Sequence, residues 1–281
     1  DPSNDENLVK PYKIVDKEVV DENGNKQTVK VGVIGFVAPQ IMQWDKANLE
    51  GKVMTEDVVA SAEKWVPKMK KDGAEVVVVL SHSGFDKDKS NKENTVYPLS
   101  EVDGIDAILF GHTHLSFPGD ASYNSLEGVD NKKGTINGVA AVQANVDGKT
   151  LGVIDLTLEQ VNGKWKVKDS QSEVISSTGV TADKEMVDVL KDSHDSTIEY
   201  INGEVGQTEA PIHSFFARVQ DDPSVQIVSN AQKEYVENAL NGTEYEDLPV
   251  LSSAAPFKAG RNGAGEYTNI PKGTVTIKNV S

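Results

Sequence analysis

Three histidines carry most of the chemistry this sequence can do. His82 lies in Ser81-His82-Ser83-Gly84, and His112 and His114 lie in Gly111-His112-Thr113-His114. Neutral imidazole is the commonest ligand for zinc and also suits manganese and iron, so three imidazoles gathered in one crevice would form part of a divalent-metal site. Taken singly, His82 can equally be a strand-end histidine that caps a carbonyl, and His112 and His114 can be ordinary loop residues. The chain has no cysteine, which excludes thiolate metal sites, disulfides and cysteine nucleophiles. Any metal ligand must therefore come from His, Asp, Glu, Asn or Gln.

Each motif follows a short apolar run, Val-Val-Val-Val-Leu at 76–80 and Ile-Asp-Ala-Ile-Leu-Phe at 105–110. Such runs, rich in β-branched residues and bounded by polar residues or glycine, predict buried parallel strands. Side chains at the carboxyl ends of such strands point into one crevice, where open α/β sheets bind their ligands. In a continuing strand His112 and His114 would face opposite sides; Gly111 permits the turn that re-aims them.

Upstream, apolar stretches at 12–15 and 27–37 flank Asp21-Glu22-Asn23-Gly24-Asn25, a hairpin signal. Thr55 is the expected N-cap of a helix with Glu56 and Asp57 in its first turn and Val58, Val59, Ala62, Trp65, Val66 and Met69 on its apolar face. That helix should close near Gly73 and complete a βαβ unit. A second crossover is expected through Ser100-Glu101-Val102. Strands at 151–158 and 164–167 should pair across Asn162-Gly163, and a charged helix is expected from Thr181 to about Asn202, with Met186, Val187, Leu190 and Ile198 on one side. A helix at 224–237, a strand at 248–251 and a glycine-rich segment at 255–263 complete the pattern. The Asp192-Ser193-His194 triplet falls inside the charged helix, where positions two apart diverge by about 200°, so it cannot form a paired ligand.

With 281 residues the chain has room for two domains. Its formal charge of -16, from 44 acidic and 28 basic side chains, opposes a nucleic-acid polymer as partner and adsorption to anionic lipid. No apolar run approaches the roughly 18 residues that span a bilayer. The polar start, Asp1-Pro2-Ser3-Asn4-Asp5, lacks an initiator methionine, and the chain is expected to be a piece of something longer.

The two histidine motifs resemble the last two metal motifs of the calcineurin-like metallophosphoesterases. The stretch Phe36-Val37-Ala38-Pro39-Gln40-Ile41-Met42-Gln43-Trp44-Asp45 narrows the resemblance, as do Asp221-Asp222-Pro223-Ser224-Val225-Gln226-Ile227-Val228 and Ser252-Ser253-Ala254-Ala255-Pro256-Phe257-Lys258. These are similar to the bifunctional 2',3'-cyclic-nucleotide 2'-phosphodiesterase/3'-nucleotidases, in the form attached to the surface of Gram-positive bacteria.

The resemblance implies an α/β fold: a partial four-layer αββα metallophosphatase sandwich over 1–180, a connector helix at 181–203, and an incomplete C-terminal nucleotidase domain over 204–281 that binds substrate. It implies two divalent ions (Mn, Zn, Fe or Co), with His82 and His112 on one and His114 on the other, nucleotide as substrate, and an extracytoplasmic, secreted or wall-attached location. The family's Asp-x-His, bridging Asp and Asn-His-Glu/Asp motifs do not occur before His82. The catalytic dyad is therefore expected upstream, and this chain is expected to be inactive alone. Asp86 is a candidate partner for a ligand imidazole or a solvated loop residue.

For the substrate, Lys258 and Arg261 could supply charge and Gly260 a close backbone approach, against a glycine-rich turn with no such role. Tyr267 is either a base-stacking ring or a core tyrosine. Asn230 is either a ligand contact or part of a polar helix face, and Arg218 is expected to be structural. The competing functions are a surface module that binds nucleotide or protein without chemistry, and a 5'-nucleotidase with the same metal motifs.

Overall fold

The computed structural model describes residues 6–261 and 263–280. The polar start, Asp1 to Asp5, and Asn262 of the glycine-rich segment lie outside the described residues. The chain forms two compact units, one ending at Val180 and one beginning at Thr181.

The first unit opens with a hairpin. Strand β1 (Tyr12–Val20) pairs antiparallel with β2 (Lys26–Val37), and the Asp21 carboxylate accepts the Asn23 and Asn25 N–H groups at 2.9 and 2.8 Å to close the turn. Two single-turn helices follow, α1 (Ile41–Trp44) and α2 (Lys46–Leu49), then α3 (Val58–Lys71). Asp57, not Thr55, caps α3 by accepting the Ala60 N–H at 3.0 Å. Thr55 lies too far before the first helical residue and instead donates to the Pro39 carbonyl at 3.4 Å. Val58, Ala62, Val66 and Met69 are the buried face of α3. The helix packs closely because Gly32 is small: a Cβ there would meet the Met69 Cε at 2.6 Å.

Strand β3 (Val76–His82) lies parallel to β2, and after the buried turn α4 (Val96–Leu99) comes β4 (Ala107–Phe110), parallel to β3. The crossover passes through Ser100-Glu101-Val102 as expected, with its helical turn just before them. Strand β4 begins two residues later than expected. The Asp106 carboxylate takes the Val77 N–H at 2.7 Å and the Lys70 ammonium at 2.9 Å, capping the ladder at that point.

Short strands β5 (Ser116–Phe117), β6 (Val129–Asp130) and β7 (Thr135–Ile136), with β8 (Val139–Ala144), complete an eight-stranded sheet. Its order is β1-β2-β3-β4-β8-β7-β6, with β5 on β8.

Because side chains alternate across a strand, the sheet has two different faces. Ile34, Val77, Val79, Ile108, Phe110 and Ala141 meet α3 and α4 in one core. On the other face Val142 meets Gly152 of a long hairpin, β9 (Thr150–Val161) and β10 (Lys164–Ser176). The turn of this hairpin, Asn162-Gly163, has positive φ at both residues, as a two-residue hairpin of this hand requires. The same sheet face leaves Val37, Leu80 and Leu109 exposed. With Gly35, His82 and Gly111 they line a shallow groove of about 580 Å³ at the carboxyl ends of β2, β3 and β4.

The second unit holds α5 (Lys184–Ile201), β11 (Glu204–Thr208), β12 (Ile212–His213), α6 (Pro223–Leu240), β13 (Asn269–Ile270), β14 (Gly273–Thr276) and α7 (Ile277–Val280). Strand β11 pairs with β14 and β12 with β13. The expected helix at 181–203 thus appears as α5, within this unit. Residues 248–251 form no strand: their apolar side chains, Leu248 and Leu251, stand exposed with no ladder to join. His194 is exposed on α5. Among the described residues no helix is long and apolar enough to cross a membrane.

Candidate metal centre and nucleotide pocket

His82 ends β3, and His112 follows β4 by two residues, so the parallel pairing of β3 with β4 delivers both to one edge of the sheet. Their ring centroids lie 5.4 Å apart with planes inclined at 59°. The positive φ of the turn that separates the paired histidines does not fall on Gly111. His112 and His114 themselves adopt positive φ, 73° and 56°, a conformation uncommon outside glycine. The Thr113 N–H bonds back to the Gly111 carbonyl at 2.9 Å, so His112 sits at the centre of a three-residue turn of the strained γ kind.

Buried polar groups hold this strained loop. Gln143 of β8 is fully buried and donates to the Gly111 carbonyl at 3.2 Å and the Thr113 hydroxyl at 2.9 Å. Tyr123 donates to the Gln143 amide oxygen at 3.4 Å, and its own burial pushes the phenol up to about 12, so it stays a neutral donor. Gly84 lets the loops meet: a Cβ there would fall 2.3 Å from both the Asn94 Oδ1 and the Thr113 Cγ2. The Gly84 N–H donates to that same Asn94 oxygen at 3.0 Å.

Two residues that sequence reasoning did not single out complete the surroundings of His112. The Glu93 Oε1 lies 2.7 Å from the His112 Nε2, and the Trp44 indole stacks on the imidazole at 5.1 Å and 23°. Trp44 stood inside a stretch that resembled the family, but no local pattern ties it or Glu93 to a histidine so far along the chain. Asp86 instead bonds within its own loop, to Asn91 and the Asp88 N–H.

The donor set suits a divalent ion in part. Two imidazoles bound to one ion at about 2.0–2.1 Å in tetrahedral geometry have ring centres roughly 5 Å apart, close to the spacing of His82 and His112. His114 is exposed. Among the described residues no three His, Asp or Glu side chains converge to hold an ion. The pair therefore fits one side of a metal site.

In the second unit, Arg218 and Arg261, the only arginines in the chain, line one cavity of about 660 Å³ with Ala217, Pro256, Phe257 and Glu266. Arg218, expected to be structural, thus joins Arg261 at a cavity. Tyr267 packs edge-on against Phe215 at 5.3 Å and bridges to Ala259. Its ring occupies the place a Cβ on Gly260 would take, so Gly260, at φ +70°, serves the tyrosine. The Lys258 side chain is exposed, and its carbonyl accepts the Ser214 hydroxyl. Asn230 is exposed on α6, bonded to Gln226 at 2.7 Å.

The sequence profile described as calcineurin-like phosphoesterase matches residues 3–116, the span of β1 to β4 with both histidine motifs. The chain is 52% identical over 281 residues to the trifunctional nucleotide phosphoesterase protein YfkN of Bacillus subtilis, covering 98% of this chain and 19% of that protein. It is 45% identical over 286 residues to the 2',3'-cyclic-nucleotide 2'-phosphodiesterase/3'-nucleotidase of Salmonella typhimurium, covering 98% of this chain and 44% of that one. The crystal structure of the calcineurin-like phosphoesterase YfkN from Bacillus subtilis superposes with a TM-score of 0.66 at 48% identity, over 69% of this chain and 60% of that one. The chain thus spans less than half the length of these curated relatives. By its fold, its strand-end histidines and these likenesses, the chain is similar to nucleotide phosphoesterases, and its residues 3–116 match the calcineurin-like phosphoesterase family profile.

Proposed function

We propose that this chain is part of a metal-dependent enzyme that hydrolyses nucleotide phosphoesters, with 2',3'-cyclic nucleotides and 3'-nucleotides as substrates. The observation that carries the reading is the pairing of His82 and His112, rings 5.4 Å apart, at the carboxyl ends of adjacent parallel strands. The names of the relatives support the substrate class. His82 and His112 would hold one divalent ion and His114 a second. Two such ions, when bound, polarise the phosphoryl oxygens and generate a nucleophile from water.

The chain's own residues would bind and orient. The strained turn held by Gln143 keeps His112 aimed at the sheet edge, and the cavity of Arg218 and Arg261 offers guanidinium groups suited to an anionic nucleotide. A second reading is favoured by one observation: with no more than a histidine pair converging among the described residues, the chain by itself would suit a module that binds nucleotide without cleaving it.

Hydrolysis of 2',3'-cyclic AMP and 3'-AMP with added Mn²⁺ separates the two. The expected result is turnover by a chain extended upstream, none by these 281 residues, and loss of that turnover in His112→Ala. No turnover in either chain would favour the binding module. Turnover by the 281 residues alone would show that the histidine pair is not the limiting part of the site.

A further inference from the structure

We propose that Glu93 is a positioning residue for His112, holding the proton on Nε2 so that Nδ1 is the nitrogen presented to a divalent ion. The inference rests on the metal reading of His112 given above. The 2.7 Å contact joins the Glu93 Oε1 to the His112 Nε2. An ionised carboxylate only accepts, so Nε2 must donate. A neutral imidazole has a single lone pair, which this contact leaves on Nδ1.

The position of Glu93 is built into the loop that carries it. Ser83, fully buried and next to His82, donates to the Glu93 carbonyl at 2.6 Å and accepts the Thr95 N–H at 2.8 Å. The Asn91 Oδ1 accepts the N–H groups of Glu93 and Asn94 at 2.9 and 3.0 Å. Gln40, at the start of α1, faces the same backbone: with its amide oxygen and nitrogen exchanged, the orientation that satisfies both atoms, it donates to the Lys92 carbonyl at 3.3 Å and accepts the Glu93 N–H at 3.2 Å. Lys92 is paired with Asp57 at 2.9 Å. The stacked Trp44 at the end of α1 covers one face of the imidazole. A histidine gripped at Nε2 and on a ring face has one free direction, through Nδ1. Carboxylate partners of this kind fix ligand tautomer and orientation, and their loss costs about 10–100-fold in metal affinity.

The test is ¹⁵N-histidine labelling of the 281-residue chain, which has five histidines, followed by long-range ¹H–¹⁵N correlation at about pH 8, where neutral imidazole predominates. His112→Asn assigns the His112 signals. In the metal-free protein the expected pattern has the proton on Nε2. On titration with Zn²⁺ the Nδ1 resonance of His112 should move while Nε2 stays protonated. Glu93→Gln, whose amide oxygen still accepts, should keep this pattern and bind Zn²⁺ within about 3-fold of the parent. Glu93→Ala should bind roughly 10–100-fold more weakly, with its backbone spectrum otherwise unchanged.

A proton on Nδ1, a Zn²⁺-induced shift at Nε2, or parent-like binding by Glu93→Ala overturns the role of Glu93 and leaves the metal reading standing. A titration that moves neither His82 nor His112 defeats the metal reading itself. In that case the metal-free tautomer still reports whether Glu93 holds the proton on Nε2.

Discussion

Helices α3 and α5 have the same amphipathic design and opposite fates. In α3 the apolar positions Val58, Ala62, Val66 and Met69 are buried, three of them completely. In α5 Met186, Val187, Leu190 and Ile198 occupy the equivalent stripe, and each is between 42% and 58% exposed. The contrast extends to the units around them: of the buried apolar residues, all but Ile270 lie in the first unit. Periodicity shows which face of a helix could be covered. Whether it becomes core depends on a facing surface, which for α3 is the sheet face of Val77, Val79 and Ile108. Burial is also what makes a polar network strong, so the unit with the dense core is the one that can hold a strained loop at His112.

Leucine truncation should break this symmetry most sharply. Leu99 is fully buried, and Leu99→Ala should lower unfolding stability by about 2–5 kcal/mol, as large-to-small core changes do. Leu190→Ala on α5 should cost under about 0.5 kcal/mol, as surface changes do. Urea unfolding of the two variants makes the comparison, and equal costs would show that the α5 stripe is covered in solution.

Adding one methyl group gives a finer test. Gly84→Ala forces a Cβ against Asn94 and Thr113 and should cost about 1–3 kcal/mol, the usual range for overpacking. Gly265→Ala in the second unit meets nothing within 4 Å and should shift the midpoint little. A harmless Gly84→Ala would mean that the loops carrying the histidine motifs can move apart freely.

The smallest effect concerns the caps. Asp57 caps α3 and also pairs with Lys92; Asp183 caps α5 through the Met186 N–H alone. Asp57→Ala should cost about 1 kcal/mol. The Ala60 N–H and then Lys92 hold the Asp57 carboxyl below its ordinary range. Its contribution is therefore fully present above the unfolded carboxylate value, about pH 4, and is lost as pH falls through the lower folded value. Chemical unfolding at neutral and acid pH should show the gap between parent and Asp57→Ala closing only on the acid side. Asp183→Ala should change no more than local amide exchange at the start of α5.

Much of the first unit was legible because its signals are local. Asn23-Gly24 and Asn162-Gly163 marked both hairpins, and the runs ending at Leu80 and Phe110 marked the central parallel strands. Where local reading slipped, a neighbour decided the outcome. Asp57 outcompeted Thr55 for the cap, Asp106 shortened β4 by taking the Val77 N–H, and residues 248–251 stayed irregular without a partner strand. At the site, the histidines were visible as ligand types on strand ends. Gly111 permits the turn, but His112 and His114 bear the positive φ themselves, and Gln143 grips that strained loop from β8.

The sequence by itself determined the residue chemistry and the elements: imidazoles without thiolates, βαβ periodicity, an acidic surface, and hairpin turns that close within a few residues. Tertiary structure alone decided that Glu93 meets the His112 Nε2, that Trp44 covers its ring, that both arginines reach one cavity, and which apolar helix faces find a partner. Hydrogen-bonded turns and alternation are set by neighbours in the chain. Contacts between distant segments exist only once packing has offset the entropy of closing the loops between them.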